Sequence, residues 1–265
     1  MTRQGWWRSL SVGLVAFVAW AMTGQASALV TGGAAAAASS SASADGSPVV
    51  LVEADHGVLD RGLRCTGTLV APGWVVTAQH CTNIGREPGR PYPAKDLRVA
   101  STRVAAVFRM DGYDAGSLVN DVALLQLAAP ITTMTPARIA AEPLRSSAEA
   151  SVYGFGGPSA AWHSAQVRVT SRAMVNDGPC LFPRGSLTFV TSVHGGSSPG
   201  DSGGPMFEWR NGRPVLLTVT AGAADRSTCG SPSLTARPQE WVGIYNRVDR
   251  ASAAWTFLSG HIPGL

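Results

Sequence analysis

The sequence predicts an all-β protein whose strands fall into two groups of six. Three observations lead there. Hydrophobic residues make up 45% of the 265-residue chain and charged ones only 14%, enough apolar surface for one large core or two modest ones. The 30 glycines and 17 prolines supply turns at a density that suits short strands better than helices. Runs rich in β-branched and other apolar residues recur between clusters of Gly, Pro, Asp and Asn.

The first group opens with Val49-Val50-Leu51-Val52. Segments 67–70 and 74–78 flank Ala71-Pro72-Gly73, a turn that folds them into a hairpin. Segments 97–100, 103–110 and 123–127 complete the group, the last reading Ala123-Leu124-Leu125-Gln126-Leu127. A break is expected near 128–148, beginning at Ala128-Ala129-Pro130. The second group is then 150–153, 165–172, 187–193, 205–209, 215–220 and 241–248. Only the tail, 249–258, reads as a helix, with Ala251, Trp255 and Leu258 on one face, and it is expected to pack outside the second half. No repeat of 20 to 50 residues is present.

Ahead of these strands, Arg3 and Arg8 precede an apolar run over 9–22 that ends near Ala26-Ser27-Ala28. This is the pattern of a secretory signal over 1–28, cleaved after Ala28 and too short for a comfortable membrane span. An uncleaved anchor is the rival reading, disfavoured because small residues suited to cleavage follow the run directly. Residues 29–47 are Ala, Ser, Thr and Gly with almost nothing to bury, so they read as a flexible propeptide or linker ahead of a domain over 48–265.

The chain carries 21 basic and 17 acidic side chains, and loss of Arg3 and Arg8 leaves 19 against 17. With Lys95 as the single lysine and the arginines scattered, no run suits a phosphate backbone or an anionic membrane. A secreted monomer without nucleic-acid partners, and without stable membrane association once the signal is gone, is expected.

Four cysteines in a secreted chain are most simply two disulfides, with three possible pairings. The hairpin between Cys65 and Cys81 brings its ends together, which pairs those two and leaves Cys180 with Cys229 by elimination. No close Cys/His spacing suggests zinc and no acidic loop suggests calcium, so no metal or organic cofactor is implied.

Ser202 lies in Gly200-Asp201-Ser202-Gly203-Gly204-Pro205, His80 in Thr77-Ala78-Gln79-His80-Cys81, and Asp121 in Asn120-Asp121-Val122-Ala123. A serine hydroxyl is a poor nucleophile unless an imidazole takes its proton and a third group orients that imidazole. Turn serines and structural histidines are common, but an aspartate leading into Val122-Ala123-Leu124-Leu125 is drawn inward, where it needs a partner. The order His, Asp, Ser is that of the chymotrypsin family.

The chain resembles the secreted trypsin-like serine proteases of that family from about Pro48 to the C-terminus. The likeness rests on Cys65-Thr66-Gly67-Thr68-Leu69-Val70, on 74–81, 120–127 and 200–205, and on Gly243-Ile244-Tyr245-Asn246-Arg247-Val248. It implies two six-stranded antiparallel β-barrels with the active site in the cleft between them, and a polypeptide substrate. By the same resemblance His80 is the general base, Asp121 its orienting acid, Ser202 the nucleophile, and the N–H groups of Gly200 and Ser202 the oxyanion hole. Gly196, Gly222 and Gly243 match the substrate pocket. Gly196 replaces the basal aspartate of trypsins, so an apolar or aromatic side chain is favoured over Arg or Lys.

The chain departs from the family pattern at several places. In the family the acid at Asp201 pairs with an α-amino group released when a zymogen is cleaved. The nearest match to the family's terminus here is Val30-Thr31-Gly32-Gly33, far ahead of Val49, so the partner of Asp201 is open. Gln79 replaces a small residue beside His80 and is expected to crowd it, while Thr220-Ala221 replaces Ser-Trp. A silent trypsin-like fold used for binding and a secreted esterase are the competing readings.

Overall fold

In the computed structural model, residues 47–54, 63–143, 149–156, 163–171, 187–194, 197–225 and 241–265 are described. The first barrel is built from β1 (Val49–Ala54), β2 (Arg64–Ala71), β3 (Trp74–Thr77), β4 (Leu97–Val99), β5 (Thr102–Arg109) and β6 (Ala123–Leu127). Its order is β1-β2-β3-β6-β5-β4, closed by the antiparallel pairing of β1 with β4, where Val52 faces Val99. The Pro72-Gly73 turn sets the β2–β3 register, with Leu69 opposite Val75 and Gly67 opposite Thr77. Val75, Val76, Leu124 and Leu125 are fully buried. Both faces of β3 and β6 are therefore covered, which is why these strands read as continuous apolar runs without alternation. Each buried leucine here contributes about 1.5–3 kcal/mol.

The second half contains β7 (Arg138–Ile139), β8 (Glu149–Gly154), β9 (His163–Ser171), β10 (Leu187–His194), β11 (Pro205–Arg210), β12 (Arg213–Asp225) and β13 (Trp241–Arg247). Its sheet runs β11-β8-β9-β10-β13-β12-β7, and β11 also pairs with β12, so six antiparallel strands close into a second ring. The two-residue β7 lies parallel to β12 outside that ring. All twelve expected strands are present, and β7 is the addition; two residues carry no periodicity to reveal them. The connection between the halves is stitched to both. Ile131 N–H donates to Pro72 O and Ala137 N–H to Leu69 O on one side, and Ala140 N–H donates to Leu216 O on the other.

The C-terminal helix differs from expectation in place and partner. Residues 249–252 form a turn, because the Asp249 carboxylate accepts from Arg247 Nε and Nη2, each at 2.8 Å, and from Ala251 N–H. Helix α1 spans Ala253–His261, capped by Ser252 Oγ, which accepts from Trp255 N–H. Ala254 and Leu258, one turn apart, are its buried residues, while Ala251 is exposed. The His261 ring lies 4.6 Å from Phe108 of β5, so the helix reaches the first barrel as well. His163 and His194, which sequence alone leaves as surface or loop residues, stand at the first position of β9 and the last of β10.

Residues 1–46, with the expected signal and most of the linker, lie outside the described residues, as do His56, Cys180, Gly196 and Cys229.

Candidate active site

His80 follows β3 directly, in a 3-10 turn over Gln79–Thr82. That turn is fastened at two points. Cys81 is bonded to Cys65 with a Cα–Cα separation of 6.1 Å, the first of the two pairings expected. Thr82 is held by Arg109, whose Nε donates to Thr82 Oγ1 at 2.8 Å and whose Nη2 donates to Thr82 O at 2.9 Å. Burial lowers the pKa of this guanidinium, which remains a cation.

Asp121 is aimed inward by the residue before it. Asn120 sits at φ 57°, a left-handed conformation that asparagine tolerates, and its Nδ2 donates to Asp111 O at 3.0 Å. The carboxylate, fully buried, receives two bonds from one residue. His80 N–H donates to Oδ1 at 2.8 Å and His80 Nδ1 to Oδ2 at 2.6 Å. A carboxylate only accepts, so Nδ1 carries the ring proton and Nε2 keeps its lone pair free. The ring is in place despite Gln79, so the expected crowding does not disrupt this pair; Gln79 Oε1 is buried without a hydrogen-bond partner among the described residues. Nearby, burial and then the Asp121 and Asp114 charges raise the Tyr113 pKa, keeping its hydroxyl neutral.

Ser202 arrives from the second barrel, and Thr66 of β2 holds its loop. Thr66 N–H donates to Ser202 O at 2.8 Å, Thr66 Oγ1 donates to Gly200 O at 2.8 Å, and Phe155 N–H donates to Thr66 Oγ1 at 3.0 Å. Cys81 Sγ lies 3.6 Å from Ser202 O, which puts the serine backbone beside the residue that follows His80. Gly203, at φ +82°, fits against the first barrel so tightly that a Cβ there would overlap Thr77 Oγ1 and Thr66 O. Ser202 is buried, and among the described residues its hydroxyl makes no hydrogen bond. Contacts of this kind commonly tighten only when substrate binds.

The loop's N–H groups divide sharply. Asp201 N–H donates to Ser198 O, Gly203 N–H to Thr220 O and Gly204 N–H to Asp201 O. Among the described residues, those of Gly200 and Ser202 donate to no protein acceptor. Gly200 adopts φ +106°, and a Cβ there would fall 2.7 Å from Gly156 Cα, so both conformation and space require glycine. Buried polar N–H groups are nearly always paired, and two unspent donors flanking one peptide form a ready site for an oxyanion.

Of the expected pocket residues, Gly222 lies on β12 and Gly243 on β13, where it pairs with Ala223 and Val190. Gly222 is not open on all sides. A Cβ there would come 3.1 Å from Leu118 Cδ1, so a leucine of the first barrel covers it. Thr220 Oγ1 donates to Gly204 O at 2.9 Å. Donor atoms of Cys65, His80 and Cys81 lie within 4.8 Å of one another, but sulfurs joined in a disulfide are not thiolates and do not ligate a metal. The residues missed from sequence are Thr66, Gly156, Ser198 and Leu118.

A double antiparallel barrel with a buried His–Asp pair after β3 and a glycine-framed serine in the second half is the pattern of the trypsin-like class. The Trypsin family model matches residues 40–252, and the chain belongs to that family. It is 30% identical to "Serine protease SP24D" of Anopheles gambiae over 56% of this chain and 59% of that protein. It is 29% identical to a trypsin of Saccharopolyspora erythraea over 68% of this chain and 83% of the relative. Against brachyurin of Leptuca pugilator the identity is 23%, over 68% and 84%. The chain thus spans less than two thirds of the mosquito protein's length.

Proposed function

We propose that this chain is a secreted serine endopeptidase working through a Ser202–His80–Asp121 triad. The observation that carries the reading is the doubly bonded His80–Asp121 pair, which leaves Nε2 as a base, beside a Ser202 loop in which the Gly200 and Ser202 N–H groups donate to no acceptor among the described residues. His80 Nε2 takes the Ser202 proton as Oγ adds to the scissile carbonyl, and the resulting oxyanion is received by Gly200 and Ser202 N–H. Collapse breaks the C–N bond, and His80 returns the proton to the departing amine. Water, deprotonated by the same nitrogen, then releases the acyl group and restores Ser202. Asp121 stays ionised throughout and stabilises the imidazolium.

Trypsin-family proteins named as proteases support a polypeptide substrate. With Gly196 at the expected pocket base, an apolar or aromatic side chain is favoured over Arg or Lys. The signal-like start over 1–28 supports secretion, and among the described residues no helix is long and apolar enough to cross a membrane. The test is labelling of the secreted protein with a fluorophosphonate, with amide and ester substrates run in parallel. Labelling and amide hydrolysis that both vanish in Ser202→Ala are expected. Ester turnover alone favours an esterase, and no labelling of the unaltered protein favours a silent binding fold.

A further inference from the structure

Arg109 ends β5 with a half-buried side chain that turns back to the segment following His80. Among the described residues its acceptors are all neutral oxygens. Nε donates to Thr82 Oγ1 at 2.8 Å, and Nη2 donates to Thr82 O at 2.9 Å and to Tyr92 O at 3.4 Å. Thr82 is fully buried and passes the contact on, its Oγ1 donating to Gln79 O at 2.7 Å. Gln79 O and the His80 N–H belong to one peptide group, and that N–H donates to Asp121 Oδ1 at 2.8 Å. Guanidinium, hydroxyl, peptide and carboxylate therefore stand in line, each donating to the next.

The dipoles of this line all point one way, with a cation at one end and a fully buried anion at the other. In a low-dielectric interior such a chain polarises itself, each bond gaining roughly 10–30% in strength. Asp121 gains from it because its donors among the described residues both come from His80, which is neutral in the resting pair. The same arginine is fixed to the Asp121 strand by its backbone. Arg109 stands opposite Ala123 in the β5–β6 register, and Met110 N–H donates to Val122 O at 3.1 Å, one residue from Asp121. Side chain and main chain together brace the His80 turn against the strand that carries its acid, without passing through Nδ1 or Nε2.

We infer that Arg109 is a positioning residue of the proposed triad, acting through Thr82 and the Gln79–His80 peptide to hold the imidazole against Asp121. Its effect on rate rests on the serine-hydrolase reading. Its effect on the His80–Asp121 bond does not need that reading.

The experiment compares the secreted full-length product with its Arg109→Met, Thr82→Val and Thr82→Ser variants. Fluorophosphonate labelling is followed over a range of reagent concentrations, which separates reagent affinity from the rate at saturation, and circular dichroism verifies each fold. Arg109→Met and Thr82→Val each remove a link and are expected to slow the saturating rate roughly tenfold with affinity little changed, since displacements well under about 1 Å cost rate first. Thr82→Ser keeps the hydroxyl and should restore the rate. The Arg109→Met/Thr82→Val double variant should be no slower than the slower single, because both act through one chain. An unchanged rate in folded Arg109→Met and Thr82→Val, or a loss confined to affinity, overturns the inference. The second measurement is proton NMR of the deshielded Nδ1–H held between His80 and Asp121, identified by its absence in Asp121→Asn. It should move upfield or be lost to exchange in Arg109→Met and stay in place in Thr82→Ser; a resonance unmoved by Arg109→Met also overturns the inference. If the unaltered protein takes no label while this resonance still responds to Arg109→Met, the hydrolase reading fails and the positioning role stands.

Discussion

Replacing Asp121 with asparagine isolates the orienting role of the carboxylate, because shape is nearly unchanged and only acceptors are altered. Both carboxylate oxygens accept from His80, Oδ1 from the backbone N–H at 2.8 Å and Oδ2 from Nδ1 at 2.6 Å. Asparagine has one oxygen to offer. Facing it to the backbone N–H puts the NH2 against Nδ1, so the ring must carry its proton on Nε2 and can no longer accept from Ser202. The flipped amide puts NH2 against the backbone N–H, a clash of donors in a site with no exposure to water. Regaining the active tautomer then costs one buried hydrogen bond and an unpaired donor, together about 3–5 kcal/mol. That corresponds to roughly 10²–10⁴ in rate, and loss of imidazolium stabilisation pushes toward the upper end. The assay is the second-order rate of fluorophosphonate labelling near pH 7, with circular dichroism to verify the fold. A folded Asp121→Asn protein that labels within tenfold of the unaltered chain would refute the tautomer argument.

Two further outcomes follow from the described geometry. Removing the Cys65–Cys81 bridge, whose partners are 16 residues apart, should lower stability by about 3 kcal/mol and the melting midpoint by roughly 6–12 °C, read by calorimetry; an unchanged midpoint contradicts it. Burial and the Asp201 charge raise the pKa of the fully buried Tyr245, whose hydroxyl has no hydrogen-bond partner among the described residues. Its stabilising share is complete below pH about 10 and falls by about 1.4 kcal/mol per pH unit above it, as only the unfolded chain loses the proton. Tyr245→Phe should therefore be more stable than the unaltered chain by about 1 kcal/mol at pH 7 and less sensitive to alkali in urea titrations; equal alkaline slopes argue against it.

The elements legible in the sequence are those whose signal is local. Val75, Val76, Leu124 and Leu125 announce strands by composition, and Pro72-Gly73 announces the hairpin that brings Cys65 to Cys81. His80, Asp121 and Ser202 are each visible because the motif around them is short and contiguous. The helix was misplaced because residues 249–252 satisfy themselves through the Asp249 side chain, a competition between side chain and backbone that hydrophobic spacing does not register.

What escaped the sequence reading is of another kind. Thr66 meets Gly200 across 134 residues, Phe155 meets Thr66 across 89, and Gly156 meets Asp201 across 45. No spacing rule links such pairs, so the contacts that hold the Ser202 loop, between the barrels at Thr66 and within the second half at Asp201, emerge only from the fold. The same holds for Gly222, which composition leaves open and Leu118 covers. The loop preceding Asp121 therefore reaches across to the second half. That loop is tied to β13 by Asn246 Nδ2, which donates to Leu118 O at 2.9 Å. One short segment therefore supplies both the acid that bonds His80 and the leucine that covers Gly222.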